Sequence, residues 1–199
     1  MLEIGCGWGA LAEEATTALD ARVTGVTLST EQLEFAKARM HRLGVAGLAD
    51  LRLQDYRDIA DEPFDAIASI EMFEAVGRAY WGDYFRTLRE QLKPGGRACI
   101  QSITIREDQW ERQSRDVDFI KRYIFPGGQL PCNSEITRQV ELNTDMQLID
   151  MKDITLDYAL TLRAWRERFL DRLAEVRQLG CDEVFIRMWR YYLCFCEGG

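Results

Sequence analysis

Met1-Leu2-Glu3-Ile4-Gly5-Cys6-Gly7-Trp8-Gly9 opens the chain, and it is an apolar run that ends in a glycine-rich turn. Residues 10–19 follow with the apolar spacing of an amphipathic helix. Glycines between a strand and a helix allow tight backbone geometry, and they let a ligand approach the helix N-terminus closely. The stretch therefore predicts an α/β fold with a site for a polar or anionic group where the first strand ends.

Apolar runs alternate with helical patterns through the first half of the chain. Strands are predicted at residues 1–4, 22–28, 48–53, 64–70 and 97–104. Crossover helices are predicted at residues 10–19, 30–43 and 78–92. We expect Lys93-Pro94-Gly95-Gly96 to end the last helix with a turn. This alternation predicts a parallel sheet flanked by helices.

The pattern changes after residue 104, where a charged and aromatic segment precedes a short apolar run at residues 146–154 and two helices. Each of these helices is predicted to bury one stripe of side chains. The two stripes are Leu162, Trp165, Phe169, Leu173 and Val176, and then Val184, Met188, Tyr191 and Phe195.

The length of the chain predicts a single domain over residues 1–199. Within it, we expect residues 1–104 to form a cofactor-binding core and residues 105–199 a segment that forms the substrate pocket. The first strand is short, and no strand follows the last helix, so we expect a chain that is truncated at both ends.

The composition narrows the classes of partner. A net charge of −8 argues against a nucleic acid, because neutralising phosphates requires a concentrated Lys and Arg surface. No stretch approaches the roughly 20 apolar residues of a membrane-spanning helix, and the first residues do not resemble a secretion signal. We expect a cytoplasmic protein. Peripheral contact with the inner membrane face through a local patch, and a homodimer, stay open.

Metal binding is not expected from this sequence. The six cysteines include no Cys-x-x-Cys pair, and His41 is the one histidine. His41 lies at the end of a predicted helix, where we expect it to be solvated. Cys6, inside the glycine turn, is expected to be a small filler.

The glycine motif alone leaves two classes of cofactor open. Gly5, Gly7 and Ala10 also satisfy the Gly-x-Gly-x-x-Ala pattern of dinucleotide-binding proteins. Those proteins usually carry an acid about 20 residues on, at the end of the second strand, where this chain has Val26-Thr27-Leu28-Ser29. Glu3 before the glycines and Asp55 after the third strand instead resemble the class I S-adenosylmethionine-dependent methyltransferases.

That resemblance implies a set of cofactor-binding residues at the ends of the first four strands. Asp55 is where the class commonly contacts adenine, and the amide of Gln32 can both accept from and donate to ribose hydroxyls in place of the missing acid. The set is Glu3, Gly5, Cys6, Gly7, Trp8, Gly9, Thr27, Leu28, Gln32, Gln54, Asp55, Tyr56 and Ile70.

Several strings in a fixed order narrow the resemblance further. They are Leu2-Glu3-Ile4-Gly5-Cys6-Gly7-Trp8-Gly9, Val23-Thr24-Gly25-Val26-Thr27-Leu28-Ser29, Gln54-Asp55-Tyr56-Arg57-Asp58, Ser69-Ile70-Glu71-Met72-Phe73-Glu74-Ala75-Val76-Gly77 and Tyr123-Ile124-Phe125-Pro126-Gly127-Gly128. Together they closely resemble cyclopropane-fatty-acyl-phospholipid synthases over essentially the whole chain. The resemblance implies transfer of a methylene group from S-adenosylmethionine to a cis double bond of an unsaturated phospholipid acyl chain.

The resemblance also implies a bicarbonate ion as the active-site base. Glu74 matches the glutamate of that anion site, Ile103 a backbone contact and Tyr158 the tyrosine hydroxyl. Gln101 stands where the family has a histidine, and an amide can hydrogen-bond the anion but cannot carry its proton. Cys196 matches a cysteine that is often labelled catalytic, although a packed helix cysteine fits the chemistry better.

The aromatic loop at residues 123–128 is expected to be a lid over the lipid chain. Trp165 and Phe169 either line the same tunnel or belong to an ordinary core. Two other functions stay open. One is a relative that methylates a lipid without closing the ring, or that N-methylates a small amine, which Gln101 keeps in view. The other is a protein that binds the cofactor or a lipid without turnover.

Overall fold

The computed structural model describes residues 1–198, in which strands and helices alternate before a helical second half. The strands are β1 (Leu2–Ile4), β2 (Val23–Thr27), β3 (Ala49–Leu53), β4 (Phe64–Ile70) and β5 (Leu92–Gln101). The helices are α1 (Ala10–Leu19), α2 (Thr30–Arg42), α3 (Phe73–Val76), α4 (Trp81–Glu90), α5 (Glu107–Arg115), α6 (Asn133–Asn143), α7 (Thr155–Asp171), α8 (Leu173–Gln178) and α9 (Glu183–Gly198). No helix of the described residues is long and apolar enough to cross a membrane.

The five strands form one parallel sheet in the order β3-β2-β1-β4-β5. Leu2 of β1 lies between Thr24 of β2 and Ile67 of β4, so β1 is central and all three of its residues are buried. The chain leaves β1 towards β2 on one side and later returns to β4 on the other. This reversal opens a crevice at the carboxyl ends of β1 and β4, the usual ligand site of such sheets.

Two apolar clusters cover the faces of the sheet. Val26 belongs to the cluster that surrounds α4, whereas Val23 belongs to the cluster under α1 and α2. Residues three apart on a strand point to opposite faces, which explains the division. The α4 cluster contains the largest buried side chains, Trp81, Tyr84, Phe73 and Phe85. The structure therefore confirms the predicted parallel sheet with helices on both faces.

Two boundaries around the last crossover were predicted wrongly. The helix expected at residues 78–92 is a 3-10 turn, Arg78–Tyr80, followed by α4, which ends at Glu90. Residues 93–96 do not end that helix, because Leu92 already pairs with Phe64 and the next pair is Ala66 with Arg97. The turn residues form an irregularity inside β5, and β5 ends at Gln101 instead of residue 104.

The structure divides into two compact units. The first contains Met1–Lys121 and Phe125–Leu148, and the second contains Arg122–Ile124 and the described residues from Ile149 onward. A single domain with a division at residue 104 stays a prediction. The apolar run at residues 146–154 forms neither helix nor strand.

The helices of the second unit correct two further predictions. The first predicted helix is interrupted at Arg172, whose φ of −110° and ψ of 23° are not helical, so Leu173 and Val176 lie on α8. On α9, three of the four residues of the predicted stripe are exposed: Val184, Tyr191 and Phe195.

The buried side chains of α9 are instead Ile186 and Leu193. Because the helix is apolar on more than one side, its sequence is compatible with more than one buried face. Glu197 forms ion pairs with Arg163 and Arg166 of α7, which favours the observed rotation of α9.

We predict that Gly25→Ala destabilises the first unit by roughly 1–3 kcal/mol, because a side chain would overpack the sheet there. A Cβ at Gly25 would lie 2.7 Å from Leu51 Cδ2 and 3.0 Å from Cys6 Cβ. Chemical denaturation measures the change. Gly47→Ala is the control, since a Cβ at Gly47 meets nothing within 4 Å. Equal unfolding free energies for both variants would contradict this account of the packing.

Candidate active site

The turn after β1 combines tight packing with open space. Gly5, Gly7 and Gly9 have φ values of 81°, 50° and 77°, which glycine adopts without strain. A Cβ at Gly5 would lie 3.0 Å from Met72 Cγ, and one at Gly9 would lie 2.9 Å from Ala36 Cβ. At Gly7 the nearest atom would be Gly5 O at 3.9 Å. The turn is therefore held from both sides and leaves a cradle above Gly7 that a ligand can occupy.

Glu3 lies beneath this cradle. Burial raises the pKa of its carboxyl group to about 7, and a hydrogen bond from the Ala12 backbone opposes the shift. Its Oε2 atom has no hydrogen-bond partner among the described residues. A buried, unsatisfied carboxylate oxygen is costly, so the site suits a ligand that donates a hydrogen bond.

Cys6 faces away from the cradle. Its side chain is buried and lies near Gly25 of β2, and burial raises the pKa of its thiol to about 12. A neutral thiol in this position behaves as a small apolar side chain. The structure thus agrees with Cys6 as filler, and only the backbone of Cys6 can contribute to ligand binding.

The end of β2 brings two predicted cofactor residues together. The Thr27 hydroxyl donates a hydrogen bond to Gln32 Oε1 at 3.1 Å, and it accepts one from the Ser29 backbone at 3.2 Å. Ser29 caps α2 by accepting from the Gln32 backbone. Leu28, which lies between Thr27 and Ser29 in the sequence, is 75% exposed. The amide and the exposed leucine are therefore held at the carboxyl edge of the sheet.

The end of β3 presents an ionised acid that is already paired. Arg57 Nε and its second terminal nitrogen donate to the two oxygens of Asp55 at 2.9 and 2.6 Å, which holds the pKa of Asp55 below its usual range. Gln54 Nε2 donates to Asp58 O at 2.8 Å. Tyr56 packs edge-on against Tyr84 at 5.8 Å. An adenine contact would use the remaining acceptor capacity of Asp55.

Phe35 is a candidate that the sequence reasoning missed. Its ring packs edge-on against Trp8 of the glycine turn, with 5.3 Å between centroids. Both rings are about half exposed, so they form an apolar wall beside the turn. Phe35 follows Gln32 by one turn of α2, and that spacing is the signal that could have located it.

Glu74 is held through both its side chain and its backbone. The Ile103 backbone N–H donates to Glu74 Oε1, and the Gln129 backbone N–H donates to the carbonyl oxygen of Glu74 at 2.9 Å. Burial raises the pKa of the carboxyl group, and the nearby charge of Glu71 raises it further. Glu74 Oε2 is buried and has no hydrogen-bond partner among residues 1–198. The structure therefore brings Glu74 and Ile103 into contact with each other, and their shared role at an anion site stays a prediction.

Gln101 contacts a residue that was not predicted, Glu71. Gln101 Nε2 donates to Glu71 Oε1 at 3.0 Å, and the Glu71 N–H donates to Gln101 O at 2.8 Å. Ile70, the last residue of β4, pairs with Gln101 across the sheet. The sequence carried no signal for Glu71, because its importance lies in a backbone φ of 51°.

Two of the donors expected to hold bicarbonate are thus used inside the protein. The Ile103 N–H donates to Glu74, and the Gln101 amide donates to Glu71. An anion here would also face two carboxylates. The residues do not fit bicarbonate in this arrangement, and its role stays a prediction.

Tyr158 and Cys196 belong to the second unit. Tyr158 of α7 packs edge-on against Trp165 at 6.2 Å, and Trp165 is 45% exposed. Burial raises the pKa of the Cys196 thiol on α9, which makes it a poorer nucleophile. That Tyr158 and Cys196 share a site with Glu74 stays a prediction.

The role of the aromatic loop at residues 123–128 as a lid also stays a prediction. Tyr123 and Phe125 are each more than half exposed. His41, at the end of α2, is exposed as expected.

A glycine turn after the central strand of a parallel β3-β2-β1-β4-β5 sheet defines the class. It is the Rossmann-like fold of class I methyltransferases. The family model described as mycolic acid cyclopropane synthetase matches residues 1–199. The chain therefore belongs to the mycolic acid cyclopropane synthetase family, whose members are S-adenosylmethionine-dependent.

Individual relatives agree with this assignment. The chain is 41% identical over 199 residues to tuberculostearic acid methyltransferase UfaA1 of Mycobacterium tuberculosis, covering all of this chain and 46% of the relative. It is 40% identical over 199 residues to cyclopropane-fatty-acyl-phospholipid synthase of Escherichia coli K12, covering all of this chain and 49% of that protein. The chain thus spans about half the length of these curated relatives.

A solved structure agrees in fold. Mycolic acid cyclopropane synthase CmaA1, complexed with SAH and CTAB, superimposes with a TM-score of 0.86 at 25% identity. The match covers 99% of this chain and 71% of CmaA1.

We predict that Glu3→Gln stabilises the protein at high pH. The folded pKa of about 7 exceeds the ordinary 4.5, so ionising Glu3 costs up to about 3 kcal/mol of stability. This cost is absent below the unfolded pKa, grows between the two values and is complete above the folded pKa. Thermal unfolding should therefore favour the variant near pH 8 and show a smaller difference near pH 5.

The matched control for this experiment is Glu14→Gln, which changes an exposed acid on the neighbouring helix α1. Its unfolding temperature should follow the wild type at both pH values. A Glu3→Gln variant that is less stable than the wild type near pH 8 would show that the carboxylate charge is stabilised, contrary to the pKa shift.

Proposed function

We propose that the intact protein transfers a one-carbon unit from S-adenosylmethionine to a cis double bond of an unsaturated phospholipid acyl chain and forms a cyclopropane. The observation that carries this proposal is Glu74, a half-buried residue whose carboxyl group has a raised pKa and accepts a hydrogen bond from the Ile103 N–H just after β5. Such a group is suited to accept a proton in a site that excludes water.

The residues at the ends of β1, β2 and β3 fit the cofactor. The cradle above Gly7 and the unsatisfied Glu3 oxygen suit its amino acid portion, and the acceptors of Gln32 and Asp55 suit its ribose and adenine. When bound, S-adenosylmethionine supplies an electrophilic methyl group. The half-exposed rings of Trp8 and Phe35 add an apolar wall beside the glycine turn.

Glu74 would act on the second half of the reaction. Bound S-adenosylmethionine would supply its methyl carbon to the double bond and keep the electron pair of the broken sulfur–carbon bond, which would leave a cationic centre on the acyl chain. Loss of a proton from the added carbon lets the ring close. Glu74 Oε2, a buried oxygen without a hydrogen-bond partner among the described residues, would accept that proton. A cation on the acyl chain would require a site that excludes water.

Methylation without ring closure is the second candidate. The Gln101 side chain cannot accept a proton, and its amide donates to Glu71, so the group that the family's histidine would supply is absent here. The relative with 41% identity is named a methyltransferase. In this reaction the proton leaves from a neighbouring carbon of the chain, and the product is a branched alkene.

Peripheral membrane contact is also a proposal, and α9 supports it. Its exposed side chains include Val184, Tyr191 and Phe195, and Arg187 and Arg190 lie on the same helix with no acid between residues 184 and 196. Apolar and basic side chains on one helix suit an anionic bilayer surface. The cytoplasmic location, the homodimer and the alternatives of a small amine acceptor or binding without turnover stay expectations.

We predict that the intact protein adds one carbon to monounsaturated phospholipid in vesicles supplied with methyl-labelled S-adenosylmethionine. Mass spectrometry of the released fatty acids detects the label. Because a branched alkene and a cyclopropane are isomers, proton NMR must then distinguish shielded ring hydrogens from vinylic ones. We expect ring hydrogens, and vinylic hydrogens alone would favour the second candidate.

Glu74→Gln should reduce product formation on the order of 100-fold, because it removes the proton acceptor. Glu90→Gln, an exposed acid on α4, is the matched control and should retain activity. Saturable binding of S-adenosylmethionine without label in any lipid would instead support binding without turnover and would refute the proposed reaction.

A further inference from the structure

The segment from Glu71 to Glu74 joins the cofactor turn to the proposed proton acceptor. Met72 packs against Gly5, and the side chain of Phe73 is fully buried against Trp81. Glu74 then reaches Ile103. Each of these contacts requires the chain to turn in one particular way immediately after β4.

That turn is made at Glu71, which has a φ of 51°. In residues 1–198, the other non-glycine residue with positive φ is Asp20, which caps the end of α1. A residue with a Cβ adopts this conformation only at a cost, so neighbouring contacts must hold it there.

Gln101 supplies such contacts through both its backbone and its side chain. Its carbonyl accepts from the Glu71 N–H at 2.8 Å, and its Nε2 donates to Glu71 Oε1 at 3.0 Å. Two hydrogen bonds to one residue restrict both the backbone and the side chain. The amide acts on Glu71, three residues before Glu74.

We propose that Gln101 is a positioning residue, whose amide holds Glu71 in the left-handed conformation that places Glu74 against Ile103. The inference rests on the proposed function for its catalytic consequence. It assigns to Gln101 a role through Glu71 instead of direct contact with an anion or a substrate.

A rescue experiment tests this role. Gln101→Met keeps the length of the side chain and removes the donor, and we expect kcat to fall on the order of 10- to 100-fold with KM for S-adenosylmethionine little changed. Glycine adopts positive φ without strain, so the double variant Glu71→Gly, Gln101→Met should regain most of the activity.

Glu71→Ala combined with Gln101→Met is the matched control. Alanine also removes the charge of Glu71 but retains a Cβ, so this double variant should stay impaired. Equal rescue by alanine and glycine would mean that the Glu71 charge, and not its backbone, caused the loss, and it would overturn the proposal. Failure of glycine to rescue would also overturn it, since Gln101 would then act directly.

A second measurement does not depend on turnover. The amide proton of Ile103 donates to Glu74, so its NMR chemical shift reports that hydrogen bond. We expect the shift to move upfield in Gln101→Met and to return with Glu71→Gly but not with Glu71→Ala. If the wild type proves inactive on phospholipid, the proposed function fails while this test still decides the role of Gln101. An unchanged Ile103 shift in Gln101→Met would refute that role.

Discussion

Close approach of backbone to backbone at the carboxyl end of β1 is the constraint on which the rest of this structure depends. Gly5 and Gly9 leave no room for a side chain against Met72 and Ala36, and their positive φ values turn the chain directly into α1. Since β1 is the central strand, this turn lies where the sheet order reverses. The cradle above Gly7 follows from both facts.

The site is polar because carboxyl groups that are largely shielded from solvent lie on β1 and shortly after β4. Glu3 and Glu74 both have pKa values raised mainly by burial, and each has an oxygen without a partner among the described residues. Such groups cost stability in the folded protein, a cost that is typical of residues kept for ligand binding or proton transfer. Asp55, paired with Arg57, shows the opposite case of an acid held ionised.

Much of the fold could be predicted from periodicity. The parallel sheet, α1 and β4 were predicted because apolar runs that alternate with stretches of helical spacing are compatible with few other folds. The wrong predictions concern segments whose sequence pattern is compatible with two structures. Residues 93–96 suit both a helix end and a strand irregularity, and α9 is apolar on more than one side, so packing partners decided which side is buried.

The sequence by itself determined the class of protein and the glycine turn, because these depend on residue types at fixed spacing. Its family resemblance predicted Glu74 and Ile103 as members of one site, which stays a prediction. Only the tertiary structure decided three contacts. Gln101 donates to Glu71, Arg57 forms an ion pair with Asp55, and the ring of Phe35 packs against that of Trp8. The physical reason is that hydrogen bonds and ring contacts between distant segments depend on backbone angles and side-chain directions. A positive φ at Glu71 leaves no mark in the order of the residues.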